Sequence, residues 1–256
     1  MSRPLVLVQF SDPHIGANWD GADPAARLEA AVEQVAVMGL DPDAVLVSGD
    51  LSENGVPAEY ETVRSLVSRL EAPVYPLPGN HDQREPLRVV FGLDGGRSEP
   101  IQYTAVVGDL RLLALDTMLP GEESGALDGG RLAWLEGALA AEPEPPTLIA
   151  MHHPPIRTGI PAFDEIGLPD ADRRAFAELV AGHGQVRRIV AGHIHRAIAG
   201  EVGGRSVLVA PSTYMQTALE LEPGEIRDTA EEPGFVVHLL IDGQLTSHVQ
   251  PLANPA

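Results

Sequence analysis

The residues Val186–His195 read VRRIVAGHIH and place two histidines directly after an apolar run. Gly192 ends that run, and His193 and His195 follow it with one residue between them. A single histidine in this position is usually a loop residue or a half-buried core residue. In a strand-like segment alternate side chains share a side, so both imidazoles face one way while Ile194 points away. Such a pair is within reach of one metal ion or of two adjacent ions.

Four other predicted strands end in side chains of the same chemical kind as the strand Arg188–Ala191. Leu5–Phe10 precedes Asp12 and His14, Ala44–Ser48 precedes Asp50, Val74–Leu77 precedes Asn80, His81 and Asp82, and Thr147–Met151 precedes His152 and His153. Six of the nine histidines fall in these five clusters, so the pattern is not a scatter of polar residues. Open α/β sheets place their functional sites at the carboxyl ends of their strands, where all five clusters lie.

Metal binding is the chemistry that these side chains share. Carboxylates, imidazoles and an amide oxygen, without sulfur, suit Mn, Fe, Zn or Co. The candidate ligands are Asp12, His14, Asp50, Asn80, His152, His193 and His195. Seven ligands are too many for one ion that also leaves room for a substrate, but they fit two ions that share a carboxylate. Two such ions, about 3.5–4 Å apart, act as a clamp for in-line displacement at phosphorus.

Each motif alone has an ordinary structural explanation. The Asp12-x-His14 pair is typical of a capped turn, a Gly-Asp dipeptide is nearly uninformative, and Gly-Asn-His-Asp suits a turn because Gly and Asn favour turns. The pair after Gly192 is as compatible with loop or core histidines as with ligands. The succession of all five motifs, each after a strand, favours the metal site.

The composition excludes several classes of enzyme. The 256 residues contain neither cysteine nor lysine, and all 17 basic residues are arginine. There is therefore no disulfide, thiol nucleophile, thiolate metal site, Schiff-base lysine or lysine-containing Walker loop. A G-x-S-x-G nucleophile elbow is also missing from the sequence, which argues against the common type of serine hydrolase.

The charge and hydropathy pattern limits the partners. A formal net charge of −20 would repel long nucleic acids and anionic membrane surfaces, so we expect neither as a partner, although solubility explains such acidity equally well. No apolar run reaches the roughly 18–20 residues of a membrane helix. The first apolar segment leads into Asp12 without a small-residue cleavage site, which predicts a strand rather than a signal peptide and a cytoplasmic location.

Apolar strands alternate with amphipathic helices, which predicts one α/β domain over residues 1–256. Further strands are predicted over Leu110–Leu115, Ser206–Ala210 and Phe235–Ile241, and helices from Asp23 to Gly39, over Ala58–Leu70, after Asp128 and near Asp172–Ala181. Three segments rich in Gly, Pro and charge are predicted as loops: Arg84–Glu99, Met118–Gly129 and Ile156–Asp170. Asp242-Gly243 predicts a hairpin turn.

The ordered motifs D-x-H, G-D, G-N-H-D, H-H-P-P and G-H-x-H resemble those of the calcineurin-like metallophosphoesterases, from about Leu5 to Gln216. The segments Leu115–Leu139 and Ser212–Gln216 resemble the branch with class III cyclic-nucleotide phosphodiesterases and glycerophosphodiesterases. The resemblance implies a four-layer α/β/β/α sandwich, with two mixed β-sheets flanked by helices. It also implies hydrolysis of a small phosphodiester, and a homodimer is one expectation because the family often forms dimers.

The resemblance further implies a role for each motif residue. One ion is expected on Asp12, His14 and His195, the other on Asn80, His152 and His193, with Asp50 bridging the two. A hydroxide that bridges the ions would be the nucleophile. His81 and Asp82 are the catalytic candidates, since His81 would contact the phosphate beside Asn80 while Asp82 orients His81. Pro13, where the family often has Thr or Leu, would only stiffen its loop.

Residues beside the motifs have simpler interpretations. His153 is predicted to be structural because His152 already occupies the motif position. Asp116 ends a strand as the ligands do, but no motif includes it, and a turn or supporting role is predicted. Arg84 and Arg157 are predicted to be solvated surface charges, although either could contact the substrate.

Three other functions remain open at this point. A phosphomonoesterase or protein phosphatase could use the same metals, and extra arginines near the cleft would favour it because a monoester carries an additional negative charge. A nuclease is disfavoured by the net charge and the lack of a basic stripe. A non-catalytic interaction module on the same scaffold would be expected to have lost ligands, whereas all seven positions are filled.

Overall fold

Two mixed β-sheets form the centre of the molecule in the computed structural model, which describes residues 3–19 and 21–253. The strands are β1 (Leu5–Phe10), β2 (Ala44–Ser48), β3 (Val74–Leu77), β4 (Tyr103–Val107), β5 (Leu110–Leu115), β6 (Thr147–Met151), β7 (Val186–Ala191), β8 (Ile198–Val202), β9 (Arg205–Val209), β10 (Gln216–Thr217), β11 (Asp228–Thr229), β12 (Gly234–Ile241) and β13 (Gln244–Pro251). The helices are α1 (Pro24–Val37), α2 (Pro57–Val67), α3 (Arg84–Phe91), α4 (Gly129–Ala141), α5 (Pro161–Glu165) and α6 (Asp170–Ala181).

The strand order brings the predicted motifs to one edge of each sheet. The first sheet runs β13-β12-β1-β2-β3; β1, β2 and β3 are parallel, and β12 is antiparallel to both of its neighbours, β1 and β13. The second runs β4-β5-β6-β7-β9-β8, with β5, β6, β7 and β9 parallel between antiparallel edge strands. Since parallel neighbours end at the same edge, the segments after β1, β2 and β3 lie together, as do those after β6 and β7.

Three apolar layers separate four layers of secondary structure, which confirms the predicted sandwich. Side chains of α1, α2 and α3 pack on the first sheet, and those of α4, α5 and α6 pack on the second. A third cluster, which includes Leu7, Leu46, Leu112 and Leu148, fills the space between the sheets. In β1 the alternation is direct: Val6 and Val8 belong to the helix side and Leu7 to the inter-sheet layer.

The helix boundaries follow local signals. The Asp23 carboxylate accepts a hydrogen bond from the Ala25 backbone N–H, and Pro24 occupies the first turn of α1, where its missing N–H costs nothing. Asp128 caps α4 in the same way through the Arg131 N–H. None of the helices in residues 3–19 and 21–253 is long and apolar enough to cross a bilayer.

Two segments predicted as loops contain helices, so those predictions were wrong in part. Arg84–Glu99 begins with α3, whose Leu87 and Val90 are buried against the first sheet, and Gly92 ends it in the left-handed conformation. Ile156–Asp170 contains α5, which buries Phe163. The Gly, Pro and charge content of both segments hid short helices that tertiary packing stabilises. The strands β4 and β8 were also missed, because these edge strands are half exposed.

His238 on β12 is a buried histidine whose environment predicts a pH effect on stability. Burial, followed by the positive charge of Arg188 on β7, lowers the pKa of His238 to about 3. Its polar neighbours, Gln9 on β1 and Ser247 on β13, are uncharged. In the unfolded chain His238 is protonated below about pH 6.5, whereas in the folded chain it stays neutral down to about pH 3. The free energy of unfolding therefore falls as the pH falls through this window.

We expect the metal-free protein to lose about 1.4 kcal/mol more unfolding free energy between pH 7.5 and 5.5 than a His238→Gln variant does. Urea denaturation of both proteins at the two pH values measures this difference. Because the variant keeps every other titratable group, equal losses in the two proteins would contradict the assignment to His238.

Candidate metal centre

Asp12, His14 and His195 converge at the end of β1 to form the first donor group. His14 Nε2 lies 3.0 Å from His195 Nε2, and Asp12 Oδ1 lies 3.6 Å from His195 Nε2. All three side chains are buried. Each offers one ligand atom, and these atoms lie within 4.8 Å of one another, a spacing that suits a single cation.

Asn80, His152 and His193 form the second donor group. Asn80 Oδ1 lies 3.1 Å from His152 Nε2 and 3.1 Å from His193 Nδ1. These residues follow β3, β6 and β7, so the group joins the two sheets. At these distances the amide oxygen and the two ring nitrogens can bind one cation together.

Asp50 lies between the two groups. Its Oδ2 is 3.5 Å from His14 Nε2 and 3.2 Å from His152 Nε2, while its Oδ1 accepts the His81 backbone N–H at 2.9 Å. One carboxylate oxygen is thus directed at a donor of each group. The set of oxygen and imidazole donors around Asp50 fits divalent metal ions.

The backbone is strained at these same positions. Among the described residues, seven non-glycine residues have a positive φ, and five of them are predicted ligands: Asp12, His14, Asp50, His193 and His195. Each such conformation costs on the order of 1–3 kcal/mol, and such strain clusters at functional sites, where the surrounding structure maintains it. These backbone conformations direct the ligand side chains toward a common centre.

Gly192 is required by the crowding at the end of β7. A Cβ at this position would lie 2.2 Å from Ser11 Oγ and 2.6 Å from Asp12 Oδ2. The backbone therefore passes so close to the first donor group that no side chain fits. Ile194, between the two histidines, is fully buried in the apolar cluster of the second sheet, as alternation predicts.

The central charges stabilise one another. Burial opposes ionisation of Asp50, but the charge and hydrogen bond of His152, together with His14 and His81, hold the pKa of Asp50 well below its usual range. Burial also opposes the charged form of His152, yet Asp50 raises the pKa of His152 to about 9. Burial, followed by neighbouring imidazoles, holds the pKa of His193 and of His195 well below the usual value. These two rings are therefore neutral, the form that binds metals.

Glu53 is the partner of His81, which corrects the prediction that Asp82 orients this ring. Glu53 Oε2 lies 3.2 Å from His81 Nδ1 and 3.0 Å from His14 Nδ1. Burial disfavours the charged form of His81, but the bond to Glu53 raises the pKa of His81 to about 9. Glu53 lies outside the Gly-Asp motif and was not predicted, although it follows Asp50 by only three residues.

Asp82 holds the backbone instead. Its carboxylate accepts the N–H groups of Leu51, Ser52 and Gly79, so it ties the loop after β2 to the loop after β3. Both loops carry predicted ligands. Asp82 thus lies behind the site, fully buried, rather than beside a substrate.

His153 and Asp116 occupy supporting positions, as predicted. His153 Nδ1 lies 2.8 Å from Thr117 Oγ1 and its Nε2 lies 3.0 Å from the Glu123 carbonyl oxygen, so both ring nitrogens have protein partners. Asp116 is fully buried and accepts the backbone N–H of Ile101.

Arg84 is not a surface charge, so that prediction was wrong. It is 6% exposed and donates to the Asp116 carboxylate from Nε at 2.7 Å and from a terminal nitrogen at 3.0 Å. Arg157, by contrast, has a side chain that is 62% exposed and pairs with Asp170, in agreement with the prediction. Neither arginine lines the cleft above the donor groups.

That cleft has a volume of about 190 Å³, and its walls are apolar except for Glu123, Thr217 and Asp228. Besides His81 and donor residues, its lining includes Trp19, Phe163, Ile166, Met215 and Ile226. The segment Ile156–Asp170 therefore contributes one wall, through Phe163 and Ile166. No arginine occurs among the described residues of the lining, a feature that bears on the charge of the substrate.

Comparison with known proteins agrees with this geometry. The chain is 38% identical over 236 residues to a probable cyclic nucleotide phosphodiesterase of Synechococcus sp., covering 86% of this chain and 88% of the relative. It is 31% identical over 252 residues to a probable glycerophosphodiester phosphodiesterase of Arcobacter nitrofigilis, covering 95% and 92%.

A solved structure supports the fold, and a match to a family model identifies the family. A dimetal phosphatase from Danio rerio shares the fold, with a TM-score of 0.72, 15% identity and 98% coverage of both chains. The family model described as calcineurin-like phosphoesterase matches residues 5–197, a range that contains all seven donor residues. With these donors gathered at the strand ends of the expected sandwich, the chain belongs to the calcineurin-like phosphoesterase family.

Proposed function

We propose that this protein is a metal-dependent hydrolase of small phosphodiesters. The observation that carries the proposal is the pair of donor groups joined by Asp50 at the floor of a cleft without arginine. Relatives at 38% and 31% identity are named as probable phosphodiesterases, which supports the same reaction class. The proposal extends to two ions of Mn, Fe, Zn or Co, since the donors contain oxygen and nitrogen but no sulfur.

Each site residue has a role in this proposal. Asp12, His14 and His195 hold one ion, Asn80, His152 and His193 hold the other, and Asp50 bridges them. When bound, the two ions supply an activated water and positive charge for the phosphate. Residues of the chain do the rest: Asn80 and His81 face the phosphate, and Glu53 holds His81 by Nδ1.

The Glu53 contact leaves His81 Nε2 for the substrate. A protonated ring in this orientation can donate a hydrogen bond to a phosphate oxygen or a proton to the leaving group. In this proposal Asp82 acts at a distance by holding the loops of Asp50 and Asn80 together.

The cleft favours a diester over a monoester. A monoester carries an additional negative charge, and the two arginines that were candidates for binding it, Arg84 and Arg157, pair with carboxylates elsewhere. Trp19, Phe163 and Ile226 offer apolar surface to an organic group. A cyclic nucleotide, with its aromatic base, matches these walls better than a glycerophosphodiester.

Hydrolysis of bis(p-nitrophenyl) phosphate beside p-nitrophenyl phosphate tests the reaction class. We expect Mn²⁺-dependent turnover that prefers the diester and stops on addition of a chelator. Preference for the monoester would favour the phosphatase alternative, and no turnover with any divalent metal would favour the interaction module. Cyclic AMP compared with glycerophosphoethanolamine then tests the substrate class.

Three further expectations belong to the same proposal. We keep a single domain over residues 1–256, a cytoplasmic location and a homodimer as predictions. Light scattering coupled to size-exclusion chromatography measures the mass in solution, and fractionation of the source cells measures the location.

A further inference from the structure

A row of polar side chains crosses the otherwise apolar layer between the sheets. It consists, in order, of Arg188, Ser247, His238, Gln9, Ser48, Ser11 and Asp12. Gln9, Ser11, Ser48, Asp12 and His238 are all fully buried. We call this row the polar chain. Buried polar groups destabilise a protein unless each one has a hydrogen-bond partner. The presence of the polar chain in an apolar layer therefore suggests that it has a function.

The hydrogens of its first half have only one consistent direction. A guanidinium can only donate, so Arg188 donates to Ser247 Oγ at 2.6 Å. The Ser247 hydroxyl then donates to His238 Nδ1, also at 2.6 Å. A neutral ring has one donor and one acceptor, so His238 Nε2 donates to Gln9 Oε1 at 3.0 Å.

The Gln9 amide continues the same direction. Its nitrogen lies 3.2 Å from the Ala191 carbonyl oxygen, which can only accept, and this identifies the two ends of the amide. The same nitrogen donates to Ser48 Oγ at 2.8 Å. Gln9 therefore ties β1 to β2 in its own sheet and to β7 in the other sheet. The loops after all three strands carry predicted ligands.

The second half ends on a ligand carboxylate. Ser48 Oγ donates to Ser11 Oγ at 2.8 Å, with a longer contact of 3.3 Å to the Phe10 carbonyl oxygen. Ser11 Oγ donates to Asp12 Oδ2 at 2.5 Å. With Asp12 Oδ2 bonded in this way, Oδ1 faces His195 and accepts the backbone N–H of His193 at 3.0 Å.

We infer that His238 is a positioning residue for the metal centre, acting through Gln9 and the two serines on Asp12 and on the turn after Ala191. Partners of this kind fix the orientation of a ligand and its affinity for the metal. The inference rests on the proposed function, because it takes Asp12 and His193 as ligands. It makes a residue on β12, outside every motif, a determinant of metal affinity.

The test is the Mn²⁺ affinity of His238→Leu, measured by competition with a chelating dye. Leucine fills the apolar layer but leaves Gln9 Oε1 without its donor, so we expect affinity to fall about tenfold. His238→Gln, which retains a donor and an acceptor, is expected to recover most of the loss. Leu46→Ala is the control, since Leu46 is buried in the same layer and is not part of the polar chain.

The outcomes separate this inference from the proposed function. If the wild type binds no metal, the proposed function itself is wrong. If the wild type binds Mn²⁺ and His238→Leu binds it equally well, only the inference is overturned. An equal loss in Leu46→Ala would also overturn it, because the effect would then reflect general loosening of the layer.

A second variant covers the case in which His238→Leu does not fold. Ser247→Ala removes the hydroxyl that donates to His238 Nδ1 and lies on the half-exposed strand β13. The ¹⁵N spectrum of the wild-type ring should show hydrogen on Nε2, and the variant should bind Mn²⁺ more weakly. Hydrogen on Nδ1 in the wild type, or unchanged affinity in the variant, would overturn the inference.

Discussion

Replacing Asp50 by asparagine should lower kcat/KM for bis(p-nitrophenyl) phosphate by at least about 10³-fold, or about 4 kcal/mol of transition-state stabilisation. Asp50 is directed at both donor groups, with Oδ2 within 3.5 Å of a ring nitrogen of both His14 and His152. An amide keeps the size of the side chain but removes the charge that two cations would share. Steady-state kinetics with added Mn²⁺ measures the change.

The matched control is Asp170→Asn, because Asp170 is half exposed and pairs with Arg157 and Arg173 rather than with any donor residue. Its activity should equal that of the wild type. Metal analysis of Asp50→Asn should show fewer bound ions per chain than the wild type contains. If this variant keeps a tenth of the wild-type activity, Asp50 does not bridge the metal ions.

Replacing Arg84 by methionine should lower the free energy of unfolding by about 3–5 kcal/mol. Arg84 lies against Asp116, which is fully buried, and donates to it from two nitrogens. Methionine fills much of the same space but leaves the Asp116 carboxylate buried with only backbone N–H donors. An unpaired buried charge is far more costly than a lost surface pair. Urea denaturation measures the loss.

Arg157→Met provides the comparison that separates a buried pair from an exposed one. The Arg157–Asp170 pair is solvated, so its loss should lower the free energy of unfolding far less than the loss of the Arg84 pair does. A double variant, Arg84→Met with Asp116→Leu, should regain part of the stability, because it removes both charges rather than one. Equal destabilisation by Arg84→Met and Arg157→Met would show that burial of the Arg84 pair is unimportant.

The parts of the fold that the sequence predicted are those with strong local signals. The strands β1, β2, β3, β6 and β7 are mainly apolar, and the polar motifs at their ends are visible without any tertiary information. The helix α1 begins with Asp23 and Pro24, whose effects on a helix start are local. Such elements are predictable because neighbouring residues determine them.

The elements that the sequence analysis missed depend on distant contacts. The helix α3 forms within a charged segment because Leu87 and Val90 pack on the first sheet. Arg84 was predicted to be a surface charge because its partner, Asp116, lies 32 residues further along the chain and contacts it only in the folded protein. Glu53, and not the predicted Asp82, contacts His81 because the loop geometry, not distance in sequence, decides which carboxylate reaches the ring.

Apolar periodicity and motif order are properties of the chain alone, and they specify which chemical groups this protein presents and at which strand ends. How those groups divide into two sets around Asp50, and which buried residues hold them there, depends on the way in which the two sheets pack. Contacts such as Gln9 with His238 join residues more than 200 positions apart, and no local pattern encodes them. The motifs therefore identify the donor residues, and the packing of the two sheets determines the geometry of these residues.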